Sequence, residues 1–208
     1  MKEELTYLGF LVSKEGLKMD PEKVQAIWNW PTPRNIFKVR SFHGLASFYR
    51  KFIRSFSHIC APIIETIKET NRSFKWIEAA DRNFKLLKKK ITEKLVLALP
   101  DFRKVFQVET DASGVAIGVV LSQEKRPITY FSEKINEAKN KYYSYDKEFH
   151  LIMQALKKWR HYFLPKEFVL YYDSNALYLT NNQPKLNQKH AKWVEIFQSF
   201  TFVIKHTK

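Results

Sequence analysis

The chain has 208 residues, 45% hydrophobic and 15% aromatic, which is enough for one large or two small packed domains and argues against wholesale disorder. Its 36 Lys and Arg against 21 Asp and Glu leave a formal charge of +15, spread along the chain rather than gathered in a tail, and this points to a polyanionic partner, nucleic acid ahead of an anionic membrane surface. The single cysteine, Cys60, excludes an intrachain disulfide framework and a thiolate zinc cage, and no signal-like segment or apolar run of about 18 residues supports secretion or membrane spanning, so an intracellular compartment, cytoplasmic or nuclear, is expected.

Residues 5–12 are rich in strand formers, Ser13-Lys14-Glu15-Gly16 supplies a turn, and Leu17-Lys18-Met19 returns as a second strand, so a β-hairpin is predicted. Asp20-Pro21 then opens a helix, with Asp as the cap and Pro at the first helical position. Val24, Ile27 and Trp28 form its apolar face, and Pro31 and Pro33 end it. Asn35 caps a second helix on which Val39, Phe42, Leu45 and Ala46 fall at helical spacing, and a third helical piece covers 59–69. Arg40, Arg50, Lys51 and Arg54 lie elsewhere on this small unit, so residues 1–72 read as a hairpin followed by a basic helical module. Residues 73–100 form a connector whose helix, from Glu78, carries Phe84, Leu87 and Ile91 on one side.

Pro100-Asp101 marks the expected boundary of a third segment, 101–208. Strands are predicted at 104–110, 115–122, 127–132, 167–172 and 200–205, with helices at 142–162, near Ser174 and at 188–198. Strands first and alternating helices afterwards imply an α/β (α+β) fold, a mixed five-stranded sheet with flanking helices.

Three carboxylates stand out in this segment. Asp111 follows an apolar strand and precedes Ala112-Ser113-Gly114, so it is expected at a strand end, although an Asp there also serves simply as a turn former. Glu148 lies four residues before Ile152 and seven before Ala155, on the apolar stripe of its helix, where a carboxylate is costly unless paired or bound to a cation. Asp173 closes the strand Phe168–Tyr172, where helix capping is the competing role. Neighbouring strands would bring the three together, and hard oxygen ligands suit Mg²⁺ or Mn²⁺. Two such ions could clamp the attacking and leaving oxygens of a phosphodiester. The six histidines show no metal-ligand spacing, and the sequence has no glycine-rich phosphate loop.

At these residues the sequence resembles the pol polyprotein of gypsy-type long-terminal-repeat retrotransposons. Tyr7-Leu8-Gly9-Phe10-Leu11-Val12-Ser13 with Asp20-Pro21-Glu22-Lys23-Val24 is similar to the end of the reverse transcriptase palm. Trp30-Pro31-Thr32-Pro33 and Phe48-Tyr49-Arg50-Lys51-Phe52-Ile53 resemble the thumb, and Phe74-Lys75-Trp76 the connector. Thr110-Asp111-Ala112-Ser113, Gly118 to Gln123, Pro127–Ser132, Tyr145-Asp146-Lys147-Glu148 and Trp159–Leu164 resemble its ribonuclease H domain. The resemblance implies a ribonuclease H-like domain over 101–208. It implies Asp111, Glu148 and Asp173 as metal-binding catalytic residues for cutting RNA in an RNA–DNA hybrid, with two Mg²⁺ (or Mn²⁺) ions in an intact site. It also implies a thumb-like grip on duplex nucleic acid, with Arg40, Arg50 and Lys51 as candidate contacts, and the remainder of the pol polyprotein as a partner. In this family the polymerase's paired aspartates precede the segment that begins here, so no polymerase site is expected in the chain. The family's fourth carboxylate follows the final strand, so the domain is expected to be truncated at its C-terminal end. Ser174 stands where the family usually has His. The alternative is an inactive or vestigial fragment that binds the hybrid without cutting it.

Overall fold

The computed structural model describes residues 4–68, 74–93, 95–113, 116–134, 144–164, 166–171 and 195–205, with backbone alone at 111–113, 116–117 and 144–148. By its contacts the chain divides into two compact units, residues 1–99 with 128–134, and residues 100–127 with 135–208. Among the described residues no helix is long and apolar enough to cross a membrane.

The first unit opens with a three-stranded antiparallel meander rather than the predicted hairpin: β1 (Glu4–Tyr7), β2 (Phe10–Ser13) and β3 (Gly16–Met19). The apolar run 5–12 is folded in two because Leu8 and Gly9 both adopt positive φ, +47° and +75°. That pair of left-handed residues makes the two-residue turn that matches strand twist, with Tyr7 opposite Phe10. Leu in this region is strained, and the turn is fastened from outside: the Tyr49 hydroxyl donates to the Gly9 carbonyl at 3.0 Å.

Four helices follow, α1 (Pro21–Trp28), α2 (Ile36–Phe48), α3 (Phe56–Lys68) and α4 (Glu78–Thr92), with a short 3₁₀ turn at Arg50–Phe52. Asp20 caps α1 through Glu22 N at 2.9 Å, and Asn35 caps α2 through Lys38 N at 2.9 Å, as their side-chain chemistry dictates. One core joins Ile27 of α1, Phe42 of α2 and Ile63 of α3, all fully buried, with Phe84, Leu87 and Ile91 of α4. Leu17 and Leu97 exchange backbone hydrogen bonds of 2.8 and 2.9 Å, tying β3 to the chain after α4. Gly16 permits this approach, because a Cβ there would lie 2.1 Å from the Leu97 carbonyl oxygen.

The mixed five-stranded sheet comprises β4 (Gln107–Ser113), β5 (Ala116–Gln123), β6 (Arg126–Ser132), β7 (Phe168–Tyr171) and β8 (Phe202–Lys205), in the order β6-β5-β4-β7-β8. β4 pairs antiparallel with β5 and parallel with β7, and β7 pairs parallel with β8. Glu124 and Lys125, both at positive φ, turn β5 into β6.

In the second unit, helix α5 (Ser144–Lys158) packs on β5 and buries Ile152, Ala155 and Leu156 completely. The helix predicted over 142–162 is interrupted at Trp159, whose carbonyl accepts a tight i→i+3 bond from Tyr162 N at 2.8 Å before the single turn α6 (Arg160–Phe163). Aromatic side chains fill the space beside β7: Phe163 and Phe168 have centroids 4.2 Å apart, and Phe149 stacks on Phe197 at 4.9 Å. The short helix expected near Ser174 lies outside the described residues.

Candidate functional site

Asp111 lies on β4, the central strand of the five, with β5 on one side and β7 on the other. It is not at the strand end that its turn-forming neighbours suggested. The ladder with β5 runs on to Ser113, and Asp111 pairs across it with Gly118. A glycine inside a strand removes a side chain from the face shared with its cross-strand partner. On the other side, the described parallel ladder ends at Glu109 opposite Tyr171. Asp111 is two residues beyond Glu109, and Asp173 is two residues beyond Tyr171 in sequence; Asp173 itself lies outside the described residues.

Glu148 is the fifth residue of α5, one helical turn before the fully buried Ile152 and two before Ala155. The helix packs on β5, the strand adjacent to the one that carries Asp111. Two of the three carboxylate positions therefore sit on neighbouring parts of one unit. Among the described residues no group of three His, Cys, Asp or Glu is arranged to hold a metal ion.

The candidate nucleic-acid contacts differ in environment. Arg40 is exposed on α2. It shares the solvent side of that helix with Phe37 and Phe48, 71% and 48% exposed, and with Gly44, where an added Cβ would meet nothing within 4 Å. Arg50 is half-buried: its guanidinium donates to the Ser132 carbonyl at 3.0 Å and lies 5.9 Å from the Phe131 ring. The Lys51 ammonium sits 3.8 Å from the centre of the Phe10 ring, and burial there holds its pKa below the usual lysine value. Burial, reinforced by the Arg50 charge, also lowers the pKa of His43 in the same unit.

Two polar residues with clear structural work carried no role in the sequence. Gln123 is buried at the end of β5. Its amide nitrogen donates to the carbonyls of Asp101 and Lys104 at 2.8 and 3.0 Å, and its amide oxygen accepts from Asp101 N at 3.0 Å. This clamps the Asp101–Lys104 turn, in which Arg103 pairs with Asp101 and holds that carboxyl down at about 2. Ser132, buried at the end of β6, bonds to Ser57 of α3. Nothing local signals either partnership, since each joins residues 19 to 75 positions apart.

Residues 76–170 match the family model described as an RNase H-like domain found in reverse transcriptase. The retrovirus-related Pol polyprotein from transposon gypsy of Drosophila melanogaster is 38% identical over 204 residues, covering 92% of this chain and 20% of that protein. The corresponding polyprotein from transposon 297 of the same fly is 34% identical over 212 residues, covering 100% of this chain and 20% of that protein. The transposon Tf2-3 polyprotein of Schizosaccharomyces pombe is 31% identical over 214 residues, covering 99% of this chain and 16% of that protein. The chain thus spans about a fifth of the length of the fly relatives. In fold it is similar to the foamy viral protease-reverse transcriptase dRH solved with double-stranded DNA, at a TM-score of 0.87 and 21% identity over 100% of this chain and 38% of that one. The foamy viral protease-reverse transcriptase solved with an RNA/DNA hybrid gives 0.86 at 21% identity, over 99% of this chain and 29% of that one. The chain is similar over most of its length to a segment of transposon Pol polyproteins, at 31–38% identity, and residues 76–170 match an RNase H-like domain found in reverse transcriptase.

Proposed function

We propose that this chain supplies the ribonuclease H part of a retrotransposon Pol protein, hydrolysing the RNA strand of RNA–DNA hybrids, together with a thumb-like grip on the duplex. The observation that carries the nuclease reading is the placement of Asp111 on the central strand. Asp111 and Asp173 stand at equal offsets from the paired residues Glu109 and Tyr171, and Glu148 heads the buried stripe of α5. In this reading Asp111, Glu148 and Asp173 hold divalent cations, Mg²⁺ or Mn²⁺, two in an intact site. Bound there, such ions supply Lewis-acid activation of water and of the scissile phosphate. The protein's own part is to present carboxylates from two packed elements, the central strand of a sheet and a helix that packs on the strand beside it.

The test uses the purified chain, a labelled RNA–DNA hybrid and added Mg²⁺ or Mn²⁺. Metal-dependent cutting is expected, and Asp111→Asn should reduce it by about a hundredfold or more while leaving hybrid affinity in chelator intact. Cleavage that persists in chelator, or an Asp111→Asn protein that cuts like the wild type, would sink the reading.

Binding without cutting is the second reading, and the exposed face of α2 supports it independently of the carboxylates. Phe37, Arg40, Gly44 and Phe48 there offer flat apolar surface, a cation and an open backbone. Such a surface suits a duplex gripped by shape and backbone charge rather than by base sequence. Hybrid affinity with no cleavage under any divalent metal would select it.

A further inference from the structure

The first amides of α3 need hydrogen-bond acceptors from outside the helix. Ser55 immediately precedes Phe56, the first residue of α3. Its φ is +54°, and its hydroxyl is buried with no hydrogen-bond partner among the described residues. The acceptor comes from 75 residues away: Ser57 N donates to Ser132 Oγ at 3.0 Å. The Ser57 hydroxyl in turn donates to the Ser132 carbonyl at 2.8 Å, and the Ser132 hydroxyl donates back to Ser57 Oγ at 3.2 Å. Arg50 closes the group, with its Nη2 donating to the same Ser132 carbonyl at 3.0 Å and its guanidinium beside the Phe131 ring. Two residues on, Lys134 pairs with Glu65 of α3 at 2.6 Å.

We propose that Arg50 is a positioning residue that, with Ser57, holds the segment 131–134 as a tertiary cap on α3, and that it is not a ligand of nucleic-acid phosphate. Ser132 is 4% exposed and receives both of its carbonyl's bonds from this group, one of them charge-assisted. The planar guanidinium reaches the carbonyl while lying against an aromatic ring, an arrangement that Arg provides and a compact ammonium does not. This explains a basic residue in a half-buried setting where a phosphate contact would require exposure. The part of the proposal that concerns nucleic acid rests on the hybrid grip proposed above; the cap does not.

The test compares full-length wild type, Arg50→Gln, Arg40→Gln and Ser57→Ala. Two quantities are read: the salt dependence of RNA–DNA hybrid binding, and amide hydrogen exchange at Ser57 and its helical neighbours. Removing one cation that neutralises a phosphate lowers the steepness of log affinity against log salt by about 0.9, so Arg40→Gln should show that change and Arg50→Gln should keep the wild-type slope. Arg50→Gln should instead speed exchange at the Ser57 amide by about tenfold. Ser57→Ala, which alters no charge, should speed exchange across the first turn of α3 with the slope unchanged. A reduced salt slope in Arg50→Gln, or Ser57 exchange unaffected by it, overturns the proposal. Should Arg50→Gln fail to fold, Arg50→Met, which keeps an apolar stem beside Phe131 and removes the charge, is read by the same two outcomes. If the wild type does not bind the hybrid at low salt, the grip reading fails on its own, and Ser57 exchange then decides the cap: acceleration supports it and no change overturns it.

Discussion

At the scale of single residues, the most informative side chains join distant parts of the chain. Tyr49 is completely buried at the C-terminal end of α2, yet its hydroxyl reaches the carbonyl of the strained Leu8-Gly9 turn. Burial, with the Asp20 carboxylate nearby, pushes its pKa up to about 12 from the ordinary 10.0. An acid whose folded pKa lies above its unfolded one ionises first in the unfolded chain. Its contribution is therefore complete below pH 10 and is lost as the pH climbs towards 12. Tyr49→Phe should cost about 1 kcal/mol at neutral pH, and should lose less stability than the wild type between these two pH values. Urea midpoints measured across that window check it; parallel pH profiles would show that the hydroxyl is not held as described.

At the scale of elements, the caps of α1 and α2 were readable because Asp20 and Asn35 act on amides two and three residues away. The clamp on the Asp101–Lys104 turn was not, because Gln123 acts from a strand 19 to 22 residues downstream. Gln123→Leu should keep the volume roughly constant but leave the part-buried Asp101 amide and the Asp101 and Lys104 carbonyls without their side-chain partner. A loss of about 2–3 kcal/mol in chemical unfolding is expected, well above that of an ordinary exposed Gln substitution. The split of the run 5–12 into two strands follows the same logic. Apolar alternation describes strand preference, but only the left-handed backbone at Leu8 and Gly9, locked by Tyr49, makes the chain reverse there.

At the scale of the whole molecule, the charge of +15 is distributed rather than concentrated, and individual cations have different fates. Lys51 lies over Phe10, Lys88 donates to the Trp30 carbonyl at 2.8 Å, and Arg40 remains exposed on α2. Net charge therefore overstates the number of cations available to a polyanion. Hybrid affinity should fall steeply with salt, and Arg40→Gln should reduce that steepness by about 0.9, a prediction checked by binding titrations between low and physiological salt. A slope indistinguishable from the wild type would remove Arg40 from the grip.

Much of the five-stranded sheet and its helix was legible in one dimension. Apolar period and turn residues located β4 to β8 to within a few positions, and the apolar spacing of α5 located the stripe of Ile152 and Ala155 that proves buried. Family resemblance was equally legible, because the order and spacing of motifs survive at 31–38% identity. What only the tertiary structure decided is which strands neighbour each other and which polar groups meet. Asp111 lies on the central strand, opposite Gly118, because the sheet order inserts β4 between β5 and the parallel β7, strands far apart in sequence. Arg50, read along the chain as a surface cation, is drawn to a carbonyl 82 residues away. Local spacing encodes the interactions within an element, whereas a hydrogen bond between distant segments exists only once packing has brought donor and acceptor within reach.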